Sequence, residues 1–100
     1  MRLTQPTDFE ILDALDEYGR NVAANLALHL ERDRAYLNTR MPHLLDHGLV
    51  SKVGPAESSG LYELTDRGQA ALKCRDSYEQ LGPDRFQRVV DDAVETTSRR

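Results

Sequence analysis

Apolar residues recur at helical spacing in the first part of the chain. The first such stretch, residues 7–18, carries its apolar positions on one face and acids on the other; the apolar set is Phe9, Ile11, Leu12 and Leu15. Thr7 and Glu10 have the spacing of a capping box, which predicts that a helix begins there. Gly19 predicts its end.

Two further helices follow in close succession. Asn21 is predicted to cap a short helix whose apolar side is formed by Val22, Leu26 and Leu30. Asp33 is predicted to cap a third helix over about 33–47, which ends at Gly48 and has the apolar stripe Leu37, Met41, Leu44 and Leu45. About three residues separate these two helices, and this spacing indicates a helix-turn-helix.

The period changes after Gly48. Residues 49–53 and 61–64 are short strand-like runs, and the turn-rich segment 54–60 between them predicts a hairpin. Thr65 is predicted to cap a fourth helix that runs to about Glu79, and Gly82-Pro83 interrupts the helical pattern. A fifth, amphipathic helix from about Asp84 completes a fold that is mainly α with a small β-hairpin.

Length and composition limit the classes of protein. One hundred residues accommodate one domain, and no run approaches the roughly 20 apolar residues of a membrane span. The N-terminal residues have no hydrophobic signal core, so a cytoplasmic protein without a membrane partner is expected. Cys74 is the single cysteine, which excludes an intrachain disulfide and a thiolate metal cluster. No cofactor is expected.

The net charge of -4 argues at first against nucleic acid, which selects basic surfaces. However, residues 20–54 carry five cations and three acids, a net charge of +2, whereas the segments on either side are acidic. The 13 cations include only Lys52 and Lys73 as lysines, and Asp outnumbers Glu. This acidic, lysine-poor composition resembles that of proteins from salt-adapted archaea, so the negative charge is interpreted as an adaptation to solvent.

The order helix, short helix, helix, hairpin, helix resembles the winged helix-turn-helix family of DNA-binding transcriptional regulators over about residues 7–79. The run 37–50, continued by Val53-Gly54-Pro55 and by 60–68, is similar to small regulators of halophilic archaea related to the PhiH phage repressor. The resemblance implies a winged helix-turn-helix domain over 1–80. It also implies double-stranded DNA as the partner and transcription regulation, in the form of repression, as the activity.

Candidate DNA contacts follow from the face of the third helix that lies opposite its apolar stripe. Arg suits guanine, Asn suits adenine, Thr suits a base or a phosphate, and Ala or Tyr suits a thymine methyl. On this helix the candidates are Arg34, Ala35, Tyr36, Asn38, Thr39, Arg40 and His43. Arg20, Arg32 and Lys52 are further candidates for phosphate contacts, together with Ser58 and Ser59 of the wing at 54–60.

Other chemistries compete for the same residues. His43 and His47 lie one helical turn apart, as in zinc peptidases, but the sequence offers no evident third ligand, so neither an enzyme nor a metal site is predicted. A regulatory metal site and redox sensing through Cys74 are weaker alternatives. The main alternative is a winged-helix module that binds another protein through the same face. The sequence identifies no operator and no small-molecule effector.

The fifth helix raises the question of oligomeric state. Residues 81–100 are predicted to form a C-terminal dimerisation element, because the winged unit closes its own core and the apolar face of this helix needs another surface. The residues of that face are Phe86, Val89, Val90 and Ala93. The alternative is that the helix folds back on the first helix of the same chain.

Overall fold

The computed structural model describes residues 1–56 and 60–98, and it is mainly helical with one small antiparallel sheet. In chain order, the elements are α1 (Thr7–Tyr18), β1 (Asn21–Val22), α2 (Ala23–Leu30), α3 (Arg34–Asp46), β2 (Val50–Lys52), β3 (Leu61–Leu64), α4 (Asp66–Lys73), a 3-10 turn (Arg75–Ser77) and α5 (Tyr78–Ser98). The predicted fold class, mainly α with a β-hairpin, is confirmed at this level.

The sheet contains one strand more than the predicted hairpin. Its order is β1-β3-β2, and both pairings are antiparallel. Asn21 pairs with Tyr62 in this sheet, so its predicted role as the cap of α2 is wrong. Val22, in an extended conformation, precedes α2 instead, and the Asn21 side chain accepts a hydrogen bond from Asn25 Nδ2 at 2.8 Å. A two-residue strand has no periodicity that a sequence pattern can detect.

The start of α1 also differs from the prediction. Thr7 is buried within the helix and makes no side-chain cap, so the capping box with Glu10 is wrong. The side chain that bonds to the backbone before α1 is Asp8, whose Oδ2 accepts a hydrogen bond from the Thr4 N–H at 2.7 Å. Glu10 instead forms an ion pair with Arg32.

The predicted caps of the later helices are confirmed. Asp33 accepts a hydrogen bond from the Ala35 N–H at 3.4 Å, and Thr65 accepts one from the Gly68 N–H at 2.9 Å. α1 ends at Tyr18 and Gly19 follows with a φ of +82°, as expected of a C-terminal glycine. These caps depend on neighbouring residues only, which is why the sequence reveals them.

The predicted fourth helix is shorter than expected. α4 ends at Lys73, and the 3-10 turn separates it from α5, which begins at Tyr78. A kink at Gly82 divides α5 into two helices, and the second agrees with the predicted helix from about Asp84. The Gly82-Pro83 break is present as a non-helical residue inside α5, where Gly82 has a φ of +77°. The early start of α5 brings Tyr78 against Phe9 of α1, with ring centroids 5.7 Å apart.

α5 folds back on its own chain, and this corrects the predicted dimer surface. Phe86 and Val90 have 0% exposed area and belong to the main core, where Phe86 packs edge-on against Phe9 at 6.0 Å and Tyr78 at 5.0 Å. Ala93 is partly buried against the same core, and Val89 is 36% exposed. Phe86 and Val90 are therefore buried without a partner chain, and α1 and the start of α5 cover the Phe86 ring.

Candidate nucleic-acid interface

The outer surface of α3 is the candidate site. Its inner face is fixed by Leu37, Met41 and Leu44, which are almost completely buried, as the apolar stripe predicts. The opposite face carries four of the predicted contact residues, Ala35, Tyr36, Thr39 and His43, while Arg34 and Asn38 flank it. All six side chains are exposed on a helix whose apolar stripe is anchored in the core.

Three side chains near the start of α3 differ in what they can offer a ligand. Arg34 is exposed and makes no ion pair with any described residue, so its guanidinium can approach an acceptor directly. The Tyr36 ring is 38% exposed. The Thr39 hydroxyl donates its proton to the Tyr36 carbonyl at 2.6 Å, which leaves it as an acceptor toward the outside.

Arg40 is committed to the interior. Its Nε donates to Asp8 Oδ1 at 2.9 Å and its Nη2 donates to Asp8 Oδ2 at 2.8 Å, in a two-pronged contact with a carboxylate that has no exposed area. This hydrogen bonding raises the pKa of the Arg40 guanidinium above its usual value, against the opposing effect of burial. Arg40 therefore joins α3 to α1, and its predicted phosphate contact would require it to leave a buried acid.

The other predicted phosphate contacts lie beside acids or outside the helix. Arg32 donates to Glu10 at 2.9 Å through Nε, in a half-buried pair. Arg20 lies 3.6 Å from Glu63, and both side chains are largely exposed. Pairs of this exposed kind are weak, so Arg20 can exchange Glu63 for another anion at little cost. Lys52 is exposed at the end of β2.

The wing is only partly described. β2 and β3 form the predicted hairpin, with Val50 opposite Leu64 and Lys52 opposite Tyr62. Gly54, Pro55, Ala56 and Gly60 flank its tip, whereas Ser58 and Ser59, the predicted tip contacts, lie outside the described residues.

A clamp at the end of α3 is the feature that sequence reasoning missed. Thr65 Oγ1 donates to the Gly48 carbonyl at 2.6 Å, and Arg67 Nε donates to the His47 carbonyl at 2.9 Å. Arg67 also pairs with Asp91 of α5. Two of the segments that carry the family resemblance, 37–50 and 60–68, are thus in contact here. Their separation along the chain hides this contact from pattern analysis.

The competing chemistries find little support within residues 1–56 and 60–98. This part of the chain has no group of three or more His, Cys, Asp or Glu side chains placed to hold a metal ion. His29, the remaining histidine, stacks on Tyr18 with ring centroids 3.9 Å apart. Cys74 is half-buried in the turn after α4. None of the described helices is both long and apolar enough to cross a bilayer.

Comparison with known proteins identifies no family for this chain. No family model, no curated protein and no solved structure matches the chain. The functional argument therefore rests on the residues and on their arrangement.

Proposed function

We propose that this chain is a sequence-specific double-stranded DNA-binding protein that regulates transcription by inserting α3 into the major groove. The observation that carries the proposal is the outer face of α3, where Arg34, Asn38 and Thr39 are exposed together while the opposite face is locked into the core. A helix that lies in the major groove in this way contacts base edges with its N-terminal part, which is where these three residues lie.

The element order supports a winged helix-turn-helix architecture for this function. A three-residue turn separates α2 from α3, and the hairpin β2–β3 follows directly. β1, between α1 and α2, completes the sheet beside β3. In such an arrangement the hairpin serves as the wing and lies next to the reading helix, and the exposed Lys52 lies at the end of its first strand.

Charge affects how DNA would be bound. Three of the five cations in residues 20–54, namely Arg20, Arg32 and Arg40, lie in ion pairs within the protein. Few cations then remain for phosphates, so hydrogen bonds and shape complementarity supply a larger share of the affinity than usual. This balance suits a repressor of a salt-adapted, archaeal cytoplasm, the setting that the composition and the resemblance suggest.

Selection from a random double-stranded DNA library, followed by binding measurements, tests the proposal. We expect an enriched motif, and we expect the triple variant Arg34→Ala, Asn38→Ala, Thr39→Ala to bind it at least about 100-fold more weakly, because each good base contact contributes about 1–3 kcal/mol. The control is Arg85→Ala, Arg88→Ala, on the exposed side of α5. No enrichment, or equal losses in the two variants, would refute the proposal.

The scarcity of unpaired cations favours a second candidate, a module that binds a protein through the same face. Tyr36 and Ala35 give this face an apolar component that a protein partner could cover. The salt dependence of binding separates the candidates, because each phosphate contact contributes about 0.9 to the slope of log DNA affinity against log salt concentration. The Arg20→Ala variant should reduce that log–log slope by about 1 if DNA is the partner, because the exposed Arg20 is a predicted phosphate contact.

A homodimer remains a prediction on geometric grounds. Two copies of α3 spaced by one helical turn of DNA would read two half-sites. Of the four predicted interface residues, Val89 keeps the exposed apolar surface that such a contact needs. Light scattering in the buffer where the protein folds tests this prediction, and a monomer at micromolar concentration would contradict it.

A further inference from the structure

A cleft beside the outer surface of α3, the proposed reading face, combines several cationic and hydrogen-bonding groups. It lies between the N-terminal segment and the second half of α3, and its volume is about 510 Å³. Arg2 and Thr4 come from the N-terminal segment, Arg40, His43 and His47 from α3 and its end, and Tyr78 from the start of α5. Its size falls in the range of clefts that hold small organic ligands.

The N-terminal wall of this cleft is held in place by hydrogen bonds. The Leu3 N–H donates to Tyr78 Oη at 2.9 Å, and the Thr4 N–H donates to Asp8 at 2.7 Å. His47 Nε2 lies 3.2 Å from the Arg2 carbonyl, and the Met1 nitrogen donates to the Gln87 side chain at 2.9 Å. Leu3 and Met1 are buried beneath this segment. The backbone at Arg2 is therefore fixed against α3.

The charges around the cleft favour an anion. No carboxylate is among the described residues that line it, because Asp8 lies behind Arg40 with no exposed area. The Arg2 side chain is exposed and forms no ion pair in the described part of the chain. Together with the imidazole of His43, it offers donors to one volume from two separate elements. His47 holds the Arg2 backbone beside this volume through the Arg2 carbonyl.

The C-terminal end of α3 would ordinarily repel an anion in the cleft, because the last carbonyls of a helix carry partial negative charge. Here those carbonyls are engaged. The Leu44 carbonyl accepts from the Leu49 N–H at 3.0 Å, and the Leu45 carbonyl accepts from the Gly48 N–H at 2.9 Å. The His47 carbonyl accepts from the positively charged Arg67. The repulsion of an anion by this helix end is correspondingly reduced.

We propose that this cleft binds a phosphoryl group, with Arg2 and His43 as its donors and His47 as the side chain that positions Arg2. A tetrahedral oxyanion accepts hydrogen bonds from several directions at once, and an arginine can donate two of them. The phosphoryl group can come from the DNA backbone or from a free phosphorylated molecule. In either case it would contact His43, which also lies on the reading face of α3. This phosphate site is separate from the proposed DNA-binding function, and phosphate binding can be measured without DNA.

Histidine ring resonances, followed by NMR during titration with inorganic phosphate, provide the test. We expect saturable shifts of His43 and His47, whereas His29, stacked on Tyr18 in another part of the fold, should not respond. Acetate at matched ionic strength should leave all three resonances in place. Shifts that do not saturate, that appear equally with acetate, or that include His29 to the same extent would overturn the proposal.

Two arginine variants make the test specific. Arg2→Ala should weaken phosphate binding by about tenfold, the effect of losing a charged hydrogen bond. It should also leave the fold intact, because the hydrogen bond recorded for Arg2 uses its backbone carbonyl. Arg88→Ala, an exposed arginine on α5, should leave the phosphate affinity within about twofold of the original value. Equal effects of the two variants would also overturn the proposal.

DNA binding by Arg2→Ala then identifies the source of the phosphoryl group. If the DNA backbone supplies it, this variant loses DNA affinity, its salt slope falls by about 1, and inorganic phosphate competes with DNA. If a free phosphorylated molecule supplies it, DNA affinity measured without phosphate is unchanged in the variant. The phosphate titration stands by itself, so a failure of DNA binding would refute the proposed function and leave this site in place.

Discussion

At the scale of single residues, Gly68 shows how closely two segments approach. A Cβ atom at this position would lie 2.1 Å from the Leu49 carbonyl oxygen and 2.5 Å from Leu64 Cδ1. The same Leu49 oxygen accepts a hydrogen bond from the Thr65 N–H at 3.1 Å. The first turn of α4 is therefore pressed against the chain where α3 gives way to β2, and only glycine leaves room for this contact.

We predict that Gly68→Ala destabilises the protein by about 1–3 kcal/mol or more, the cost of inserting a methyl group where backbone must move. Urea denaturation measures the change in the free energy of unfolding. Gln69→Ala, at the next and exposed position of the same helix, is the control and should change it by less than about 0.5 kcal/mol. A Gly68→Ala protein as stable as this control would contradict the close approach.

His47 gives stability a pH dependence. Burial lowers the pKa of its imidazole below the ordinary value of 6.5, against the raising effect of its hydrogen bond to the Arg2 carbonyl. Between the folded and unfolded pKa values the unfolded chain binds more protons, so stability decreases as the pH falls through this window, beginning near 6.5. The contribution of neutral His47 is complete above the unfolded value.

His47→Gln should therefore show a smaller loss of stability than the original protein between about pH 7.5 and 5. Glutamine keeps a donor for the Arg2 carbonyl but carries no titrating proton. Urea denaturation at a series of pH values measures this, and the exposed His43→Gln variant serves as the control. Carboxylate titrations are common to all three proteins, so equal pH profiles for the original protein and His47→Gln would rule out the predicted effect.

At the scale of elements, the orientation of α3 depends on more than its apolar stripe. α3 packs mainly on α2 and leads into β2. Its direct polar link to α1 is the Arg40–Asp8 pair, whose side chains have 15% and 0% exposed area. Asp8 also receives the Thr4 N–H, so one carboxylate joins α3, α1 and the N-terminal segment. The orientation of the exposed face of α3 thus depends on an ion pair between α3 and α1.

We predict that Asp8→Asn destabilises the protein by about 3–5 kcal/mol, because it leaves the largely buried Arg40 guanidinium without its counter-charge. Chemical denaturation measures the loss, and Asp13→Asn, at an exposed position of the same helix, is the control. The double variant Asp8→Leu, Arg40→Met should recover a substantial part of the loss, since it removes both charges. A small loss in Asp8→Asn would show that the pair does not hold α3.

At the scale of the whole molecule, the core joins the beginning and the end of the described chain. Phe9 of α1, Tyr78 and Phe86 of α5 meet edge to face, and Val90 lies in the same cluster. The region 81–100, predicted as a dimerisation element, is therefore also part of the monomer's core. Charged groups also connect distant parts of the molecule, because cations of the positive segment 20–54 form ion pairs with acids of the protein itself.

Phe86→Ala should cost about 3–5 kcal/mol of unfolding free energy in the monomer, as expected for a fully buried ring. Val89→Ala, three residues further along α5 and partly exposed, should cost less than about 1 kcal/mol. Denaturation at several protein concentrations measures both. A Phe86→Ala effect that appears only at concentrations where the protein self-associates would instead assign this ring to an interface between chains.

Local features of this protein could be predicted from its sequence. The stripe of Leu37, Met41 and Leu44, the caps Asp33 and Thr65, and the hairpin strands are each set by residues within a few positions of one another. Periodicity and capping depend on that short range. The exposed residues of α3 follow from the same stripe, so most of the candidate site was within reach of pattern analysis.

Contacts between distant segments were decided only by the tertiary structure. A helical wheel places Arg40 where it could bind a phosphate, yet Asp8, 32 positions away, accepts hydrogen bonds from its Nε and Nη2. The sequence pattern places Phe86 on an unpartnered apolar face, whereas in the fold Phe9 and Tyr78 cover it. Periodicity identifies which face of a helix is apolar or charged, but packing between remote elements determines which groups meet that face.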